Sequence, residues 1–210
     1  KKIKAGAYYL KGACVAYNIG RNRTFSILGH EGWHQFSRRH FEYRLPSWLD
    51  EGVAMMFEAS EYQDGIFEFR PSRNLQRLGS LRKTLLNNNR IPLKKLISMD
   101  PGQALALDAG ETTQAFYAQS YALVRFLREE NYGARLDNYR QMMLGGLNGT
   151  WPLPLELRRI AANRNLPLTT DWNRTVAAML FREYISEDME SIEREYLRFC
   201  RKIVYNVRLR

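Results

Sequence analysis

Apolar residues in the first 20 positions fall into two short β-type runs, "AGAYYL" and "CVAYNI", separated by Lys11-Gly12. That arrangement predicts a hairpin. The spacing then changes to a helical one. "RNRTFSILGHEGWHQFSRRHF" predicts a helix from Phe25 to about Arg39, with Thr24 as its N-cap. In "RLPSWLDEGVAMMFEAS" Pro46 ends what precedes it and Ser47 can cap a new helix. Asp50 then falls in its first turn, where a carboxylate suits the positive end of the dipole. "DGIFEFR" predicts a short strand, and "NLQRLGSLRKTLL" and "PLKKLISM" predict helices joined by the polar "NNNRI". "ETTQAFYAQSYALVRFLREENYG" is the strongest helix of the second half, with Thr113 as cap and Gly133 as stop. "ARLDNYRQMML", "PLELRRIAANR", "TDWNRTVAAMLFREY" and "SEDMESIEREYLRFCRKIV" all keep helical apolar spacing. The fold class is therefore α+β: a small N-terminal sheet followed by a mostly helical body, in one domain over residues 1–210. Residues 134–210 are expected to be a helical C-terminal part of that domain.

Composition bounds the rest. With 210 residues, 45% hydrophobic and 12% aromatic, the chain has enough apolar surface for one full core. No run approaches the ~20 apolar residues of a membrane-spanning helix. The start, "KKIKAGAYYL", has neither an initiating Met nor an apolar stretch of signal length. The chain is thus expected to be part of a longer protein with additional domains, and its start leaves the compartment open. Cys14 and Cys200 are far apart and form no C-x-x-C pair, which argues against a thiolate metal site. Two buried free thiols are the plain expectation.

Of the net charge of +10, much lies between Phe69 and Met99, where Arg70, Arg73, Arg77, Arg82, Lys83, Arg90, Lys94 and Lys95 occur without one acid. Such a run either docks on an anionic partner or forms a solvated face, and the second is favoured. The lack of aromatic residues in it, and of any recognisable motif, argues against nucleic acid.

The chemistry points to positions 30–34, "HEGWH", which hold two of the three histidines. Residues four apart on a helix lie about 40° apart around the axis, so His30 and His34 project from one face and their imidazoles can meet at one cation. Glu31 stands on the flank of that face, in reach of a water at the cation. This is the H-E-x-x-H arrangement of zinc metallopeptidases. Catalytic zinc needs a third protein ligand and an open position. "WLDEGVA" supplies Glu51, about one turn into a returning helix and roughly level with the histidines. Asp50 is its rival, but it suits helix capping and lies about 100° away around the axis. Glu58, seven residues beyond Glu51, is a candidate partner for a ligating imidazole. Gly29 and Gly32 each cost the helix about 1 kcal/mol against Ala, so a strand or a substrate is expected to approach closely there. Trp33 is expected to pack, His40 to be solvated near a helix end, and Met55, Met56, Met142 and Met143 to fill the core.

"HEGWHQF", followed after sixteen intervening residues by the Glu of "WLDEGVA", resembles the gluzincin pattern. In gluzincins a Glu one helix downstream completes a His-His-Glu set. "PSWLDEGVA" and the later "FYAQSYALVRFL" resemble the peptidase-MA-like domains first catalogued as families of unknown function, over roughly Gly6 to Leu127. The resemblance implies a zincin-like fold, Zn²⁺ held by His30, His34 and Glu51, and a peptide or protein as substrate. It also implies water attack on the peptide carbonyl with Glu31 as general base. "YAQSYALVRFL" is similar to the gluzincin aminopeptidase helix whose leading Tyr donates to the oxyanion, which assigns that role to Tyr117. "GACVAYN" does not match the "G-x-M-x-N" strand of that branch, so exopeptidase action is not implied. "CVAYNI" could receive an extended substrate by strand addition. The alternative reading is a catalytically weak scaffold module of the same fold, docking on an anionic partner through the basic run.

Overall fold

The two β-type runs at the start pair with one another, as expected of a hairpin. In the computed structural model, which describes residues 7–10, 13–107, 110–205 and 207, β1 (Ala7–Leu10) lies antiparallel to β2 (Ala13–Ala16). Ala7 stands opposite Ala16 and Tyr9 opposite Cys14. The expected Lys11-Gly12 turn and the Cys14 side chain fall outside the described residues.

Helix α1 (Arg21–His40) begins earlier than its apolar spacing predicts. Thr24 is not its cap. The Thr24 N–H already donates to the Gly20 carbonyl at 2.9 Å, and its hydroxyl accepts from the Ile19 N–H at 3.2 Å. Gly20 takes φ +100°, a left-handed turn that glycine adopts without strain. Helix α2 (Ser47–Ala54) also starts one residue early. The Pro46 carbonyl accepts from Leu49 and Asp50 N–H, both at 3.0 Å, so Pro46 holds the cap position and Ser47 lies within the first turn.

A 3₁₀ turn at Met55–Phe57 leads into a second hairpin, β3 (Ser60–Gln63) and β4 (Ile66–Phe69). Its two-residue loop, Asp64 at φ 52° and Gly65 at φ 83°, has the positive dihedrals that match strand twist. Glu61 and Glu68 stand directly opposite one another, an unfavourable like-charge pair. Arg70 offsets it by reaching both, at 3.3 and 2.6 Å, and Arg73 reaches Glu61 at 2.6 Å. The hydrogen bond from Arg70 holds the Glu68 carboxyl below its usual range.

Within the expected single domain, the chain separates into two compact units: Lys1–His40 with Val53–Asn74, and Phe41–Gly52 with Leu75–Arg210. In the first, α1 packs on the β1–β2 hairpin and on the 55–57 turn, with Trp33 stacked on Phe57 at 5.8 Å between ring centres. The second contains α3 (Leu75–Leu86), α4 (Leu93–Ser98), α5 (Pro101–Leu107), α6 (Glu111–Glu129), α7 (Leu136–Leu147), α8 (Leu155–Ala162), α9 (Thr170–Tyr184) and α10 (Met189–Val204). Helix α6 is its axis: every residue from Ala118 to Leu127 is buried, and α3 and α10 pack against it. It starts at a Gly110 cap, with the expected cap Thr113 inside the helix. It stops at Glu129, ahead of three left-handed residues, Asn131, Tyr132 and Gly133. Met55, Met56 and Met142 are core residues, as is Cys200, a free thiol. The architecture is mostly helical with two small antiparallel hairpins, α+β in the broad sense. Among the described residues no helix is long and apolar enough to cross a membrane.

Candidate metal centre

Helix geometry alone brings the two histidines together. His30 and His34 lie one turn apart on α1, with ring centres 4.9 Å apart and Nε2 atoms 3.2 Å apart. Two nitrogens bound to one tetrahedral zinc, each about 2.0–2.1 Å from it, stand roughly 3.3 Å apart. The imidazoles therefore already hold the spacing of two ligands.

Glu51 comes from α2. This helix runs unbroken from Ser47 to Ala54, with Glu51 in its second turn. His30, His34 and Glu51 each offer one ligand atom, all within 4.8 Å of one another and all half-buried. The rival Asp50 is not part of this group. Nitrogen and carboxylate donors on two helices, with no thiolate among them, make a donor set that fits zinc and leaves room for a fourth partner.

The third histidine nitrogen is also accounted for. His30 Nδ1 lies 2.9 Å from Glu58 Oε1, and the two side chains are only 16% and 6% exposed. An imidazole that gives its far N–H to a carboxylate is fixed in orientation and gains basicity at its other nitrogen. Glu58, a candidate for this role from its spacing, does touch His30, but from beyond the end of α2 at Ala54 and not from the helical face shared with Glu51. Glu31 is half-buried on the same helix, next to His30.

The glycines differ. A Cβ on Gly29 would run into the Phe57 carbonyl, whose carbon stands 3.0 Å away, so α1 and the 55–57 backbone meet there directly. A Cβ on Gly32 would meet nothing within 4 Å. A close backbone approach is thus found at Gly29, made by the 3₁₀ turn and not by the expected strand or substrate, and among the described residues none comes close to Gly32.

Tyr117 lies on α6 in the second unit, half-buried against Phe116 and beneath the Arg77 guanidinium, 5.5 Å from its ring centre. In the same unit α2 crosses α6 at Gly52, where a Cβ would stand 2.7 Å from the Ser120 carbonyl oxygen and 2.6 Å from Val124. Tyr117 is one helical turn before that crossing, and Glu51 is the residue next to Gly52.

Half of the basic run is engaged inside the molecule. Arg70 and Arg73 bridge the hairpin acids, Arg77 covers Tyr117, and Arg82 donates to the Val204 and Tyr205 carbonyls at 3.3 and 3.5 Å at the end of α10. Trp33 packs and His40 is exposed in the last turn of α1, as expected.

One residue of this centre escapes the sequence pattern: Asn74, 5% exposed, whose amide lies 2.9 Å from Glu58 Oε2. A polar residue between a charged loop and a helix carries no spacing signal that would have marked it.

The chain matches, over residues 24–143, the family described as a protein of unknown function (DUF1570). That span covers more than half the chain and includes both histidines, Glu51, Glu58, Asn74 and Tyr117. No curated protein and no solved structure matches it.

Proposed function

The chain belongs to this family of unknown function, DUF1570, and we propose that it is a gluzincin-type zinc metallopeptidase with a zincin-like fold. The observation that carries the reading is the convergence of His30, His34 and Glu51 ligand atoms within 4.8 Å of one another, with a carboxylate, Glu31, beside the first histidine. Zinc at that group would acidify water towards a pKa of about 7 and polarise a carbonyl oxygen.

The remaining steps belong to the protein's own side chains. Glu31 accepts a proton from the attacking water and delivers it to the departing amine, so the peptide bond and one water become a carboxylate and an amine. Glu58 keeps the His30 ring oriented. Tyr117 donates to the oxygen of the carbonyl under attack, where charge develops. The substrate is a peptide or protein, and an extended segment beside β2 would present its carbonyl groups in the regular orientation that strand addition imposes. The scaffold reading, which needs the basic run as a docking face, draws less support because Arg70, Arg73, Arg77 and Arg82 already have partners within the protein.

The test is Glu31→Gln, assayed on casein or a peptide library with and without chelator, alongside elemental analysis. Zinc content is expected to stay at one per chain while cleavage falls at least about 100-fold, the lower end for a general base. Chelation is expected to abolish wild-type cleavage. Cleavage by Glu31→Gln within a fewfold of wild type, or wild-type activity indifferent to chelator, would reject the reading.

A further inference from the structure

We propose that the exposed face of α10 docks on an anionic lipid bilayer, an inference independent of the metal centre. Arg194, Arg198, Arg201 and Tyr205 follow one another at intervals of four, three and four residues. Tyr205 caps the helix and keeps helical dihedrals, φ −55° and ψ −44°. At about 100° per residue, the four fall within about 60° of one another around the axis and form a row about 16 Å long. All four are exposed, while Ile192, Tyr196, Phe199 and Cys200 are buried on the opposite side, which packs against α6.

No acid answers that row. Glu193 and Glu195 stand on its two flanks, where Glu193 accepts from the Leu93 N–H at 3.1 Å and Glu195 pairs with Arg135. Glu190, one turn before Arg194, marks where the row begins. Among the described residues no carboxylate pairs with Arg194, Arg198 or Arg201. Three guanidinium groups in line match a surface of phosphates and carboxylates, which such groups bind through paired N–H donors. These arginines are separate from the basic run between Phe69 and Met99.

The side chains at one end of the row decide the partner. The ends of α10 and α6 meet where Lys202 lies 3.6 Å from Glu130. Tyr132, two residues after Glu130, is fully exposed, and Tyr205, three after Lys202, is 80% exposed. Tyr132 is carried outward on successive left-handed residues, Asn131 at φ 49° and Tyr132 at φ 57°, a backbone that costs free energy away from glycine. Arg82 donates to the Val204 and Tyr205 carbonyls, and one turn further along α3 Leu86 is exposed too. Duplex nucleic acid or an acidic peptide would use the arginines and leave these side chains idle. At a bilayer, tyrosine rings sit at the headgroup level, apolar body inward and hydroxyl in water, beside cations drawn to the lipid charges. Because the apolar side of α10 is buried in the protein, the helix does not insert, and contact stays peripheral and salt-sensitive.

Co-sedimentation with vesicles tests it. The protein is expected to pellet with vesicles of equal parts phosphatidylcholine and phosphatidylserine and to stay in solution with phosphatidylcholine alone. Raising the salt is expected to release it. Each cation near such a surface strengthens binding about fivefold, so Arg194→Gln, Arg198→Gln and Arg201→Gln combined are expected to weaken it about 100-fold. Tyr132→Ala with Tyr205→Ala is expected to weaken it severalfold and leave the salt dependence intact. Thermal melting of both variants should stay close to wild type, since all five side chains are exposed. Equal retention on both vesicle types overturns the inference, as does an arginine variant that binds within about threefold of wild type. A tyrosine variant that binds as wild type shows that charge alone is read, which removes the ground for lipid. Retention on immobilised DNA but not on vesicles assigns the face to nucleic acid and overturns the inference as well.

Discussion

A hydroxyl on a helix can serve packing or chemistry, and the two roles separate when it alone is removed. Tyr117 keeps its ring under Arg77 and against Phe116 after Tyr117→Phe, so stability is expected to change by less than about 1.5 kcal/mol, as for most substitutions that preserve a packed shape. If the phenol donates to developing negative charge, kcat falls about 100- to 1,000-fold, with KM and zinc content nearly unchanged. Steady-state kinetics on a cleaved peptide decide it, and a kcat within threefold of wild type removes Tyr117 from the mechanism. At this scale the sequence is legible where helix geometry dictates the contact. His30 and His34 meet because four residues on a helix fix their bearing; Glu58 reaches His30 on different grounds from its helical spacing, because α2 ends at Ala54 and a 3₁₀ turn over Met55–Phe57 carries it there. Asn74 was not legible, because its partners lie 16 and 19 residues away across a hairpin and two turns, and no periodicity connects them.

At the scale of elements, the two glycines of α1 give opposite expectations. Gly29 sits where the helix touches the 55–57 backbone, and an added methyl group meets a carbonyl that cannot rotate away. Gly29→Ala is expected to destabilise the protein by about 1–3 kcal/mol, the cost of overpacking. Gly32 faces open space, so Gly32→Ala should gain up to about 1 kcal/mol of helix propensity. Urea unfolding of both variants reads the difference, and equal effects would show that the α1 contact is softer than its geometry. If Gly32→Ala is more stable yet slower on peptide, its missing side chain serves the substrate. The same scale shows where pattern reading stops. β4, with Ile66, Phe67 and Phe69, carries a β-type composition and was legible. Its partner β3 reads "SEYQ", whose polar residues give no strand signal, and only the Asp64-Gly65 loop and the cross-strand register make it one. α5 was missed for a similar reason: "PGQALAL" is short, and its start depends on Asp100, whose carboxylate accepts from the Gln103 N–H at 2.9 Å.

At the scale of the whole molecule, the ionisable groups inside the second unit set how the protein responds to alkali. Burial pushes the Cys200 thiol up to about 12 from an ordinary 9.0. Burial likewise raises Tyr139 to about 12 and Tyr196 well above its usual 10.0, and the Tyr196 hydroxyl keeps its proton engaged by donating to the Gln119 carbonyl at 2.8 Å. In each case the neutral form is favoured in the native state. Below pH 9 both folded and unfolded chains hold these protons, and the groups make no pH-dependent difference. Above it the unfolded chain releases the cysteine proton first and the tyrosine protons from about pH 10, while the native protein retains them. The unfolded state then binds fewer protons, so stability falls with rising pH, by about 1.4 kcal/mol per pH unit for each group in its window. Denaturant midpoints measured from pH 7 to 11.5 are expected to stay level to about pH 9 and then decline with increasing steepness. Cys200→Ala should remove the part that begins near pH 9 and leave the part that begins near pH 10, with Cys14 present in both proteins and cancelling from the comparison. A profile that stays level to pH 11 would mean that solvent reaches these groups in the native state, and that the core around α6 and α10 opens far more readily than its packing implies.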